Sequence, residues 1–372
     1  MSTQDETKAI PLAFAHEQSP VRLIELPPSL LSLIENSTFR GSSPVLKIKA
    51  SPSTSADGTA TPSNHPSPFA VLTTDTETYN IRSVHSSNSI FLLNPVLIPT
   101  LASQDEDSDT EMSDNVPAPL KPGVVVASTC GSHLELLPSK PNTELLLQSF
   151  LTEYISPEHP PARPADVASK SQVAIDTPVS DAEFKQGWID ATCFEIDTWA
   201  VRLAPSSALQ IFKSVINIMY AVSGSNTEWS NEGVDISHIM EAVENDGELE
   251  DWPADAIRAV VRGSWESKKA SDGSIDYIFN APHAAKWVGK QVLLATPNKS
   301  FRESEFMSTW KESVPADCTD LIELKMLDGL YTQSALGVIR YIHGSAAVEA
   351  GTSSAASKKK KWHEKFAAGK KK

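Results

Sequence analysis

The chain has 372 residues, 40% of them hydrophobic, which is enough for two or three domains that each bury a core. Its formal net charge of −15 hides an asymmetry: residues 351–372 hold eight lysines against one glutamate, so the preceding 350 carry about −22 and any nucleic-acid contact must be local. Three scattered cysteines, Cys130, Cys193 and Cys318, fit reduced intracellular thiols rather than a disulfide framework, and no signal peptide or bilayer-length apolar run is legible.

Residues 1–20 are polar and expected to be loosely held. Residues 21–26 read as a strand ended by Pro27-Pro28, after which Leu30, Leu31 and Ile34 share one face of a short helix opened by Pro28. Short runs rich in β-branched and aromatic residues follow at 45–49, 69–73, 78–84, 89–93, 124–127 and 133–137. Short strands without helical periodicity between them predict an α+β chain whose 21–138 region is a small antiparallel β-barrel. Two insertions, 51–68 and 103–122, are rich in Ser, Thr and Pro or in acidic residues and are expected to be disordered loops. Ser108, Thr110 and Ser113 lie among carboxylates in the second, as phosphorylation candidates or as part of a solvated loop.

From residue 142 the apolar spacing becomes helical. A Pro-rich gap covers 156–178, and Ser180 with Glu183 then forms a capping-box pattern that starts a helix at Asp181. Phe194 and Ile196, then Trp199, Val201 and Leu203, alternate on either side of Asp197-Thr198, as in a hairpin. A helix followed by a hairpin is winged-helix order. The order recurs with a helix through Leu209, Phe212, Ile216 and Tyr220, further helices at 236–243 and 253–262, and a hairpin turning at 271–274. Helix patterns at 282–294 and 304–313 carry Trp287 and Trp310. The expected modules are 142–204, 206–296 and a partial third at 301–345, with a basic tail at 351–372.

No phosphate-binding glycine loop, Gly-x-Ser-x-Gly elbow or His-Glu-x-x-His pair is present, and no histidine stands at metal-ligand spacing from a cysteine. No enzyme activity, cofactor or metal is therefore expected. Acidic residues 248–251 read as a solvated loop, and most of the eight tryptophans as core anchors. Candidate DNA contacts are Arg258 and Arg262, one turn apart on the predicted third helix of the second module, and Lys268-Lys269 in its wing. A solvated helix face explains them equally well. The tail residues Lys358, Lys359, Lys360, Lys361 and Lys365 suit a nuclear import signal, a nucleic-acid arm or a solubilising end.

The wording Leu23-Ile24-Glu25-Leu26 with Leu30 and Leu31, Thr78-Tyr79-Asn80-Ile81-Arg82-Ser83-Val84, Leu134-Glu135-Leu136-Leu137-Pro138, the stretch from Phe306 through Trp310 to Ser313-Val314-Pro315, and Leu327-Asp328-Gly329-Leu330-Tyr331 resembles the Dcc family of sister-chromatid cohesion proteins. These matches run in order from about residue 21 to 343. The resemblance implies a nuclear, chromatin-associated adapter subunit of the cohesion-specific alternative replication factor C clamp loader, acting in DNA replication through loading and unloading of the sliding clamp PCNA. It implies that the front region completes a triple β-barrel with a small Ctf-type subunit and the C-terminal tail of the large loader subunit. It also implies tandem winged helices that contact DNA and the leading-strand DNA polymerase, with the replication factor C small subunits as indirect partners and no membrane. An accessory subunit of another nuclear complex built from a triple barrel and winged helices, a B-type ribonuclease H subunit or a general transcription factor, stands beside it. The family's third winged helix continues further than this sequence does, so that module is expected to be partial and the lysine tail to supply DNA-facing charge instead.

Overall fold

The computed structural model describes residues 10–39, 43–50, 70–99, 120–223, 233–269, 273–295, 300–334 and 337–342. The insertion 51–68, nearly all of 103–122, the phosphorylation candidates Ser108, Thr110 and Ser113, and the whole tail with Lys358, Lys359, Lys360, Lys361 and Lys365 lie outside these residues. In chain order, strands β1 (Leu12–Phe14) and β2 (Leu23–Glu25) and helix α1 (Pro28–Phe39) come first. The strands β3 (Lys47–Ala50) and β4 (Ala70–Thr73) precede two long strands, β5 (Thr78–Pro99) and β6 (Leu120–Ser139). The chain divides into a front unit of residues 1–45 and 79–139 and a rear unit of residues 46–78 and 140–372.

The front unit is an open sheet. β6 has β5 on one side, and both β1 and β2 pair with it in parallel, through Val124–Val126 and His133–Glu135 respectively. β1 lies in the segment expected to be loose, and its backbone is held because Ala15 and Ser19 N–H groups also donate to β6 carbonyls. The runs His85 to Asn88 and Ser128 to Ser132 read in sequence as breaks between short strands, yet β5 and β6 pass straight through them. Ladder hydrogen bonds involve only the main chain, so Ser, Asn and Gly interrupt a strand only where the pairing itself stops. Among the described residues no sheet closes into a barrel, which corrects the expectation for this region. Leu30 of α1 and Tyr79 are buried, and Ser29 Oγ and Tyr79 OH share a hydrogen bond of 3.1 Å.

The rear unit carries one order of elements three times: helix, strand, helix, helix, hairpin. The first copy is α2 (Thr143–Phe150), β7 (Thr152–Tyr154), α3 (Lys170–Asp176), α4 (Asp181–Asp190), β8 (Cys193–Ile196) and β9 (Trp199–Leu203). The second is α5 (Pro205–Ser223), β10 (Val234–Asp235), α6 (Ile236–Asp246), α7 (Ala254–Ser264), β11 (Glu266–Lys269) and β12 (Ile275–Ile278). The third is α8 (Ala281–Leu294), β13 (Phe301–Arg302), α9 (Glu303–Glu312), two 3-10 turns at Ala316–Leu321 and Leu324–Leu327, β14 (Tyr331–Gln333) and β15 (Val338–Tyr341). Each sheet has the order first, third, second strand. The first strand pairs in parallel in the first copy and antiparallel in the other two. Counted by this order the third copy begins at α8, inside the span 206–296 expected for the second module, and it has turns where the others have a third helix. Helix α3 also falls inside the Pro-rich gap, capped by Ser169 through Gln172 N–H.

Local chemistry explains much of this. The capping box at α4 is present in both directions, with Ser180 Oγ accepting from Glu183 N–H and the Glu183 carboxylate reaching back to the Ser180 N–H. The β3–β4 hairpin is fastened to the first repeat by Lys49, whose Nζ donates to the carbonyls of Ala174, Thr177 and Val179 at 2.8, 3.1 and 2.7 Å. Lys47 adds an ion pair to Asp181, and Ser180 N–H donates to Thr78 Oγ1 at 2.8 Å. Two glycines permit close helix contact: a Cβ on Gly187 would overlap the Thr143 side chain, and one on Gly289 would overlap the Trp310 ring.

One hydrophobic core joins all three repeats, from Tyr154 and Phe194 through Phe212, Ile239 and Trp265 to Phe306, Trp310 and Ile339. Helix α8 lies at its centre. Trp310 Nε1 donates to Ala285 O at 2.8 Å, and Phe212 meets Trp287 with ring centroids 5.5 Å apart. On α8's outer side Lys290 pairs with Glu144 of α2 at 2.7 Å and donates to Asp190 O, so the helix is tied to the first repeat as well. Burial raises the Glu144 carboxyl above its ordinary value, and the Lys290 charge opposes that shift.

Candidate partner and nucleic-acid surfaces

In the front unit the side chains of β1 and of the distal half of β5 face solvent. Leu12 and Phe14 on β1 and Ile90, Phe91, Leu93 and Leu97 on β5 are 39–64% exposed. Phe14 and Phe91 meet edge to face with centroids 6.0 Å apart, yet Phe14 stays 61% and Phe91 46% exposed. Ile90 and Phe91 are neighbours, and successive strand residues point to opposite faces, so the distal part of β5 presents apolar groups on both faces. Apolar exposure on this scale along one strand makes it a candidate interaction surface.

In the rear unit the four candidate DNA contacts fall on α7 and β11. Arg258 is held by Asp255 one turn earlier, at 3.0 Å. Lys268 stands opposite Asp276 on the neighbouring strand, and Lys269 opposite Ile275. Arg262 is exposed at the last turn of α7. The structure therefore leaves Arg262 and Lys269 without a neighbouring carboxylate in these contacts, while Arg258 and Lys268 are partly neutralised. Most of α7 is inside the protein: Ala256, Ile257, Ala259, Val260, Val261, Gly263 and Ser264 are all buried. What remains outside is the stripe of Ala254, Asp255, Arg258 and Arg262, too narrow for a helix that reads base edges from within a groove but wide enough for phosphate contacts along one line.

Sequence reasoning missed two further cations on this side of the molecule, Lys170 on α3 and Lys185 on α4. Both share with Arg262 a cavity between the first and second repeats. No local pattern marks them, since they meet Arg262 only through the packing of β8 and α4 against α7.

Groups able to act as nucleophiles are poorly disposed. Cys193 and Cys318 are buried, and burial pushes both thiols up, Cys318 to about 11 with help from the Asp317 charge, so neither is a thiolate near neutral pH. Burial likewise raises Tyr341 to about 12, with the Glu144 charge adding to it. Among the described residues no group of three or more His, Cys, Asp and Glu side chains is placed to hold a metal ion, and no helix is long and apolar enough to cross a membrane.

Comparison with known proteins sets these surfaces in context. No curated protein matches the chain. The family model described as sister chromatid cohesion protein Dcc1 matches residues 21–346, which takes in the front sheet from β2 onward and all three rear repeats. The chain belongs to the Dcc1 family, and its role lies in sister chromatid cohesion.

Proposed function

We propose that the chain is a non-catalytic adapter subunit of the cohesion-specific, replication factor C-like clamp loader, working in the nucleus on chromatin. The observation that carries the reading is the distal half of β5, which offers Ile90, Phe91, Leu93 and Leu97 to solvent. Fully burying such a side chain contributes about 1.5–3 kcal/mol and roughly half of each is still open to solvent, so covering it adds about 1 kcal/mol apiece and strands from partners laid against the row would bind with useful affinity. The small Ctf-type subunit and the C-terminal tail of the large loader subunit are the partners this sheet would take, completing a shared triple barrel. On this reading the three rear repeats act as winged helices, which their recurring element order and strand order support, and they serve the loader's links to DNA and to the leading-strand polymerase during clamp loading and unloading. DNA contact is through phosphates, from the Arg258, Arg262, Lys268 and Lys269 region and from the basic tail, because α7 is packed inside.

The test is co-expression of the full chain with the two partner subunits. Phe91→Asp combined with Leu93→Asp is expected to abolish their co-purification while leaving the unfolding transition of the rear unit in place. Undiminished co-purification, or recovery with a ribonuclease catalytic subunit and no clamp loader, would overturn the reading. For the DNA part, deletion of residues 351–372 is expected to lower both nuclear accumulation and the salt dependence of DNA affinity. If neither changes, the tail has no such role.

A further inference from the structure

The cavity between the first and second repeats has a volume of about 300 Å³, at the lower end of the range for cavities that bind ligands. Its ten lining residues include three cations, Lys170, Lys185 and Arg262, and no acidic residue. That composition runs against the rest of the body, which carries about −22 over 350 residues. None of the three cations has an ion pair among the described residues: the Lys170 ammonium stands over the Trp188 ring at 5.0 Å, and Lys185 and Arg262 are exposed. Glu195 accepts from the Lys170 backbone N–H at 2.8 Å.

Between these charges the wall is aliphatic. Ile189, Ala259 and Ile275 line it, and Ile275 is 45% exposed. Lys269 lies directly across from Ile275 in the β11–β12 hairpin and adds a fourth cation beside the opening. Charged groups around an apolar floor select a ligand that carries both features, an apolar side chain between negative charges. We infer that this cavity is a docking site for an acidic peptide segment with one large apolar anchor. The anchor enters against Ile189 and Ile275, and flanking carboxylates meet Lys170, Lys185 and Arg262.

Nucleic acid fits the cavity less well. A duplex is too wide for a cleft of this size, and a single strand needs a bare aromatic face on which a base can stack. Trp188 is only 6% exposed and has Lys170 over its ring, and Tyr277 is 7% exposed.

The experiment uses the full chain and a fluorescein-labelled nonapeptide, Gly-Ser-Asp-Glu-Phe-Glu-Asp-Ser-Gly, titrated by fluorescence anisotropy. Saturable binding is expected, weakened about tenfold or more when the peptide's Phe is replaced by Ser and again when Lys185→Glu and Arg262→Glu are combined. Lys185 and Arg262 are exposed, so the double variant should fold, which circular dichroism would check. Ile275→Ser is the second variant, expected to weaken binding of the Phe peptide and to leave the Ser peptide unchanged. Lys268→Glu, on the other face of β11, is expected to alter binding less than threefold. Two results would each overturn the proposal: no saturable binding, or equal binding of the Phe and Ser peptides, the second of which would identify a general polyanion surface instead of a peptide site.

Discussion

In the rear unit the largest side chains of the repeats are inside: Trp265, Phe306, Trp310, Ile211, Ile239 and Leu327 are at most 2% exposed and belong to one connected core, and the exposed aliphatics, such as Ile155, Ile175 and Val222, are spread over separate segments. In the front unit the comparable groups on β1 and β5 stand 39–64% in solvent, although the sheet that carries them has long, continuous strands. Both units are rich in apolar residues, so composition does not separate them. The difference is in the layers available. Each rear repeat has helices to lay over its small sheet, whereas the front sheet has one described helix, α1, for two strands of about twenty residues.

The contrast predicts how each unit responds to substitution. The largest effect is expected from Trp310→Ala, which removes a fully buried ring from the shared core and should cost about 4 kcal/mol in urea unfolding of the full chain. Amide protection should then fall together in the second and third repeats, because α8 serves both. Loss confined to the third would break the picture of one core. Lys49→Met comes next, at about 2 kcal/mol, since it leaves three carbonyls at the end of α3 without their charged donor. Hydrogen exchange should localise that loss to β3, β4 and the end of α3.

A smaller effect of opposite sign is expected at Thr198. Asp197 and Thr198 have φ of 48° and 66°, the two left-handed positions of a tight hairpin turn, and a β-branched residue fits that region poorly. Thr198→Gly should stabilise the chain by about 1 kcal/mol, read as a rise in the unfolding midpoint. The smallest effect belongs to the front unit: Leu97→Ser should change the stability of the free chain by about 0.5 kcal/mol or less, because Leu97 is 64% exposed and little burial is lost. A large destabilisation there would show that the exposed strand is already packed on something, and the contrast between the units would fail.

The rear unit was the more legible in sequence. The Ser180 and Glu183 capping box, the Asp197-Thr198 turn and the helical spacing of Leu209, Phe212 and Ile216 are local signals, and the structure has a helix or hairpin at each. Less legible was whatever depends on pairing across long distances. The Ser- and Asn-rich stretches of β5 and β6 look like turns until each has a neighbour, and β1 is a strand only because Val124 to Val126 run beside it. The place of α8 is ambiguous in sequence for a related reason: a helix shared by two repeats carries the same periodicity whichever one it opens. For the candidate site, Arg262 was within reach of sequence reasoning, whereas Lys170 and Lys185 lie 92 and 77 positions before it and become its neighbours only through tertiary packing.

The hairpin of β3 and β4 has a consequence for anyone dissecting this protein. Residues 46–78 fold with the rear unit although the front unit's sequence lies on both sides of them, so the chain passes from one unit to the other three times, near residues 45, 78 and 139. No single cut separates the units. A fragment ending near residue 140 keeps the hairpin and discards the helix end that Lys49 grips, and its misbehaviour would report a severed clasp instead of a missing partner. A clean separation requires removing residues 46–78 from the front piece and grafting them onto the rear one. Equally, a protease that cuts once near residue 139 leaves the first piece carrying residues 46–78, which belong with the second.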